Sequence, residues 1–209
     1  SDYRNEEGFE VAVFDGQLYL GMEADNTLGA QVWRTRAGVR VAQGQADWEQ
    51  VVGDAFGRSP QQNDHIDSLA VFSGALYAST ANRSGVYSGT FVYSSTTGAA
   101  GTWAAANPPG FGDADNTNFK DMVVFTVGGT PWLCGGTSNS TVGAQVWCTA
   151  DGSTWQQRNQ SGFGAAHNHL IASSGVFSGA LYVGVGSTLS GTLWRSTDLV
   201  SWTQVYTAA

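Results

Sequence analysis

The chain has 209 residues, 12% of them charged, and a formal net charge of −8. It holds one lysine, Lys120, beside eight arginines, so the clustered cations that bind nucleic acid are absent. No run of eighteen apolar residues occurs, so no membrane insertion is expected, and the low charge leaves a surface of Ser, Thr, Asn, Gln and Gly.

The opening SDYRNEEGFE has neither a basic nor an apolar leader-like stretch. A first unit follows with Asn5, Phe14, Tyr19, Trp33 in GAQVWRT and Trp48, and DAFG comes after it. The same order returns as Asn63, Phe72, Tyr77, Tyr93 in GTFVYSS and Trp103, followed by PGFG. It returns again as Asn116, Phe125, Trp132, Trp147 in GAQVWCT and Trp155, followed by SGFG. The fourth passage carries Asn168, Phe177, Tyr182, Trp194 in GTLWRS and Trp202, and ends QVYTAA. A period of about fifty residues marks a repeat architecture, with units at about 1–57, 58–112, 113–164 and 165–209.

Each unit reads as four strands. In the second, these are Ile66 to Phe72, Ala75 to Thr80 after a Ser73-Gly74 turn, Thr90 to Ser95, and a strand at Trp103. No sustained 3.6-residue period appears, so almost no helix is expected. Runs such as LAVF and LYVGV are apolar on both faces, as in sheets covered on both sides. The expectation is an all-β chain: one β-propeller of four four-stranded antiparallel blades, closed on itself. An eight-bladed ring of two chains, or a piece of a longer array, are the alternatives. Gly21, Ser79 and Gly184 follow the second-strand aromatic, where a large side chain would strike a neighbouring blade. Cys134 and Cys148 fall in the second and third strands of one unit, so they form either a hairpin-closing disulfide or two buried thiols.

Thr149-Ala-Asp151-Gly152-Ser-Thr-Trp155 and Ser196-Thr-Asp198-Leu-Val-Ser-Trp202 resemble the Asp-box, or BNR repeat, of sialidases and other propellers, one residue shorter between Asp and Trp. Ala37 and Thr97 stand near the aspartate's place in the first two units. Taken whole, the chain is similar to secreted bacterial propellers with Asp-box-like or kelch-like blades. That resemblance implies a secreted or cell-surface protein and leaves the activity open.

The repeated asparagines Asn5, Asn63, Asn116 and Asn168 precede each first strand and would stand at one mouth of a central channel. They either bind a ligand there or bond the backbone of their own loops. Beside them the units differ: Asp64 and His65, Asp115, and His167 and His169 are candidate ligand-binding residues. These could also gather around a divalent ion, but no compact ligand motif is present, so neither metal nor cofactor is expected. Tyr87, like Tyr3 and Tyr206, lies outside the repeated aromatic positions and suits stacking on a sugar. No arginine lies in an innermost strand and no catalytic constellation is evident. The expected function is a non-catalytic extracellular module for protein interaction, self-association or scaffolding. A glycan-binding lectin is the alternative, and a glycosidase such as a sialidase a weaker one.

Overall fold

The computed structural model describes residues 5–24, 27–60, 62–82 and 89–208, the first five of them as backbone only. The first unit contains β1 (Asn5–Phe14), β2 (Gln17–Ala24), β3 (Gln31–Thr35) and β4 (Trp48–Val52). The second contains β5 (Ile66–Phe72), β6 (Ala75–Thr80), β7 (Val92–Ser95) and β8 (Ala104–Ala105). The third contains β9 (Asn118–Val127), β10 (Thr130–Ser138), β11 (Val146–Thr149) and β12 (Gln156–Gln157). The fourth contains β13 (Asn168–Phe177), β14 (Ala180–Ser187), β15 (Thr192–Ser196) and β16 (Thr203–Thr207). Four 3-10 turns are the only helical segments among the described residues.

Strands within each unit run antiparallel in chain order. Two-residue turns with both φ positive close the first hairpins, at Asp15-Gly16, Ser73-Gly74, Gly128-Gly129 and Ser178-Gly179. That backbone matches the right-handed twist of the strands it joins. Cys134 and Cys148 face each other across β10 and β11 and are disulfide-bonded.

The expectation of four separate four-stranded blades needs correction. The strands form three sheets, of four, four and eight strands. Ser138 of β10 pairs with Leu170 of β13, and this one strand pairing merges the sheets of the third and fourth units. Gly136 makes the approach feasible: a Cβ there would lie 2.1 Å from Ile171 Cβ. Gly21 has the same role between the first and second units, where a Cβ would lie 2.6 Å from Ile66 Cγ2.

The core lies between units. Phe14, Tyr19, Val32 and Val52 of the first pack with Ile66, Leu69 and Leu76 of the second. Phe72, Tyr77 and Val92 pack with Phe119 and Leu133 of the third. Phe125, Cys134 and Val146 pack with Ile171, Leu181 and Val183 of the fourth. The innermost strands touch in the order β1, β5, β9, β13. No comparable packing joins β13 to β1 among the described residues, and Val11, Val13, Phe177 and Leu189 are exposed. The self-closed ring expected from the sequence is therefore not what these residues form.

Candidate functional site

Each innermost strand carries a β-bulge at one level. The ladder skips Phe9 in β1, Asp67 in β5, Asp121-Met122 against Gly135 in β9, and Ala172 in β13. A bulged residue leaves the ladder and its side chain is re-aimed. Asp121 also has φ +52, a backbone region that aspartate tolerates better than most side chains. The bulges thus bring Glu10, Asp67, Lys120 and Asp121 together from three strands.

Asp67 is the buried centre of the group. Its Oδ1 accepts from Lys120 Nζ at 2.9 Å and faces His65 Nε2 at 3.2 Å, and its Oδ2 accepts from Asn118 Nδ2 at 2.8 Å. Burial alone would raise its pKa, but His65 and Lys120 reverse this and hold it below the usual carboxylate range. The imidazole of His65 also has Nδ1 2.9 Å from Asp64 Oδ2. Burial disfavours its charge, yet the hydrogen bonds to Asp64 and Asp67 prevail and lift its pKa to about 9.

Glu10 is half-buried and its pKa is raised, first by burial and then by the charge of Asp121. A backbone hydrogen bond from Leu69 and the charge of Lys120 offset some of that rise. Asp121 is fixed to β13: Ser174 N donates to its Oδ2 at 2.6 Å, and Ser174 Oγ to its backbone oxygen at 2.7 Å. The arrangement sets the Glu10 carboxyl, which favours its proton, on one level with Asp121 and with Asp67, whose carboxylate is held below the usual range.

The residues singled out from sequence fall elsewhere, except Asp64 and His65. Asn63, Asn116 and Asn168 are buried, and their amides donate to the carbonyls of Ala55, Gly110 and Gly162 in the turns between units. Asn63 also donates to the Tyr93 hydroxyl and Asn116 to Gln145 Oε1. These bonds tie loops to sheets. Asp115 is exposed in its loop. His167 is exposed, and its carbonyl oxygen lies 3.1 Å from Nδ1 of His169. Neither meets the Asp67 group through any described bond. The Asn5 side chain and Tyr87 lie outside the described residues.

Glu23, Asp64 and His65 place one potential metal-ligand atom each within 4.8 Å of one another. Both ring nitrogens of His65 face carboxylates, Nδ1 that of Asp64 and Nε2 that of Asp67. Glu10, Lys120 and Asp121 were missed by sequence reasoning. Asp67, also missed, is a lone charge in IDSLAVF, whereas Lys120 and Asp121 are adjacent in NFKDMVVFTV and Glu10 shares NEEGFEVAVF with Glu6 and Glu7.

The Asp-box-like hairpins have the geometry their residues suggest. Asp151 Oδ1 accepts from Ser153 N at 2.8 Å and Thr154 N at 2.6 Å, and Asp198 Oδ1 from Val200 N and Ser201 N at 2.9 and 2.8 Å. These backbone donors hold the pKa of Asp198 at about 2. Both aspartates serve turns at the outer rim.

No protein-family model and no curated protein matches the chain, so kinship with Asp-box or kelch propellers is not shown. Solved structures do match. An exo-β-1,3-galactanase from Clostridium thermocellum is 16% identical, with a TM-score of 0.59, over 96% of this chain and 47% of the galactanase. A thermostable family-43 glycoside hydrolase is 14% identical, with a TM-score of 0.52, over 97% of this chain and 72% of its own. An α-L-arabinofuranosidase from C. thermocellum is 13% identical, with a TM-score of 0.54, over 98% and 73%. This chain thus spans about half the length of the galactanase. At these identities the likeness establishes the fold, an all-β chain of the propeller type.

The expectation of a non-catalytic scaffold or lectin is overturned by these matches, because the propellers this chain resembles are glycoside hydrolases. The physical reason for the misreading is dispersal. Glu10, Asp67 and Asp121 come from the first three units, at positions more than fifty residues apart, and form no local motif. No described helix is long and apolar enough to cross a membrane.

Proposed function

We propose that the chain is a carbohydrate-active propeller that cleaves glycosidic bonds at the level of its inner-strand bulges. Glycoside hydrolysis needs one carboxyl to protonate the leaving oxygen and a second carboxylate to activate water or attack the sugar. Glu10, whose pKa is raised by burial and by the charge of Asp121, is assigned the proton-donor role. Asp121, braced by Ser174, is assigned the second carboxylate. Asp67 is a positioning residue: its lone pairs already serve Lys120, His65 and Asn118, so it orders the cations beside the pair. The observation that carries the reading is the Glu10 carboxyl, raised by burial and by the charge of Asp121, with Asp121 braced by Ser174, at one level of a fold shared with glycoside hydrolases.

The test is hydrolysis of aryl arabinosides, xylosides and galactosides, with arabinan and β-1,3-galactan as polymers, by the full chain and by Glu10→Gln and Asp121→Asn. Turnover that falls on the order of 10²–10⁴-fold in Glu10→Gln, with the fold intact by circular dichroism, is expected. Turnover unchanged in both variants, or absent from the parent on every substrate, would refute the proposal.

A further inference from the structure

The three turns between units share one device. In each, a phenylalanine with positive φ enters an aromatic clamp on the following unit: Phe56 at +59°, Phe111 at +58° and Phe163 at +53°. Phe56 stacks on Tyr93 at 3.9 Å and meets Trp103 edge-on at 5.8 Å. Phe111 stacks on Trp147 at 4.9 Å and meets Trp155 at 5.5 Å. Phe163 stacks on Trp194 at 4.5 Å and meets Trp202 at 5.5 Å. Non-glycine residues avoid that backbone region, so a repeated exception marks a ring whose contact outweighs the strain.

The first unit has the same clamp. Trp33 holds the place of Trp147, with its Nε1 donating to Gln31 Oε1 at 3.0 Å as Trp147 Nε1 donates to Gln145 Oε1 at 2.8 Å. Trp48 holds the place of Trp155. Between them, with Leu20, Met22 and Gln45, is a slot of about 150 Å³ that no described ring fills. An apolar cavity of about 150 Å³ elsewhere accepts benzene.

We infer that the Trp33–Trp48 slot is a docking site for the phenylalanine of a further Gly-Phe-Gly turn, supplied by another unit of this same repeat. The site continues a series of three filled interfaces, and the series names its occupant. The turns inside one copy are already engaged, so a folded second copy does not offer the ring from Phe56, Phe111 or Phe163.

The experiment appends the chain's own segment NQSGFG directly ahead of Ser1 and compares it with NQSGAG in the same place. Covalent attachment supplies the effective concentration that a free peptide would lack. The phenylalanine extension should raise Tm by about 5–10 °C over the alanine one, and shift the indole N–H resonances of Trp33 and Trp48. The gain should vanish in Trp33→Ala, and in Trp48→Leu should the first variant fold poorly. Equal Tm for the two extensions, or a gain that survives loss of the clamp, would overturn the inference. So would a saturable shift of these two indoles by arabino- or xylo-oligosaccharides with no response to the extension.

Discussion

His65 should make stability fall on the alkaline side of neutrality. Its side chain is 14% exposed and is bracketed by Asp64 at 2.9 Å and Asp67 at 3.2 Å, with Lys120 across Asp67 and Glu23 close by. Burial works against the imidazolium, but the two carboxylates prevail and lift the pKa to about 9. An unfolded histidine titrates near 6.5, so the difference corresponds to about 3 kcal/mol of stabilisation. Because the folded pKa is the higher, the contribution is complete below about pH 6.5 and is lost as pH rises through about 9. Asp67 acts in the opposite sense, since its depressed pKa contributes above the free carboxylate value and is lost in acid. Urea unfolding of the parent and of His65→Gln at pH 6 and pH 9.5 isolates the term. The parent should lose about 2–3 kcal/mol more than the variant over that interval. Parallel profiles for the two proteins would refute the assigned network.

Trp155 meets Phe111 and Phe119 edge-on and donates Nε1 to Ala106 O at 2.9 Å, so Trp155→Ala should cost about 3–5 kcal/mol in denaturant melts. A cost below about 1 kcal/mol would show that the clamp does not hold the units together. The Cys134–Cys148 bond closes a short loop, so the double alanine variant should lose about 3 kcal/mol, and the parent a similar amount on full reduction. Lys120→Met leaves Asp67 with His65 and Asn118, so about 1–3 kcal/mol should be lost. The carboxyl ¹³C titration of Asp67 should then move to higher pH.

The frame was legible because the pressure that shapes it recurs. Short apolar runs between turn residues gave the bounds of β5 and β6 as observed, and the Gly-Phe-Gly spacing marked the joints between units. One repeat position was misaligned. Phe125 does not precede its hairpin directly but pairs with Trp132, because the turn lies two residues further on at Gly128-Gly129. The merger of the third and fourth units turns on Ser138 facing Leu170, a contact that no strand propensity encodes. The asparagines illustrate the limit of a repeated residue as a signal. An amide suits a ligand and a carbonyl equally well, and the structure turns Asn63, Asn116 and Asn168 to carbonyls. The inner carboxylates were obscure because Glu10, Asp67 and Asp121 come from three different units, and only the fold brings them to one level.

The bulges also explain how a repeat protein can write a site without breaking its frame. The ladder is common to all four units, whereas the residues in and beside the bulge differ: Phe9-Glu10, Asp67-Ser68, Lys120-Asp121 and Ala172-Ser173. A residue released from pairing can change without disturbing its neighbours' hydrogen bonds. Whether a charge is tolerated there then depends on what surrounds it. Ala172 is exposed, so Ala172→Asp adds a hydrated carboxylate and should change stability by no more than about 0.5 kcal/mol. Asp67 is buried among His65, Lys120 and Asn118, and its removal takes an acceptor from each of them. Asp67→Ala should therefore cost about 2–4 kcal/mol, with Asp67→Asn between the two. Equal effects at positions 67 and 172 would mean that the bulge backbone, rather than the charge network built on it, governs what these positions accept.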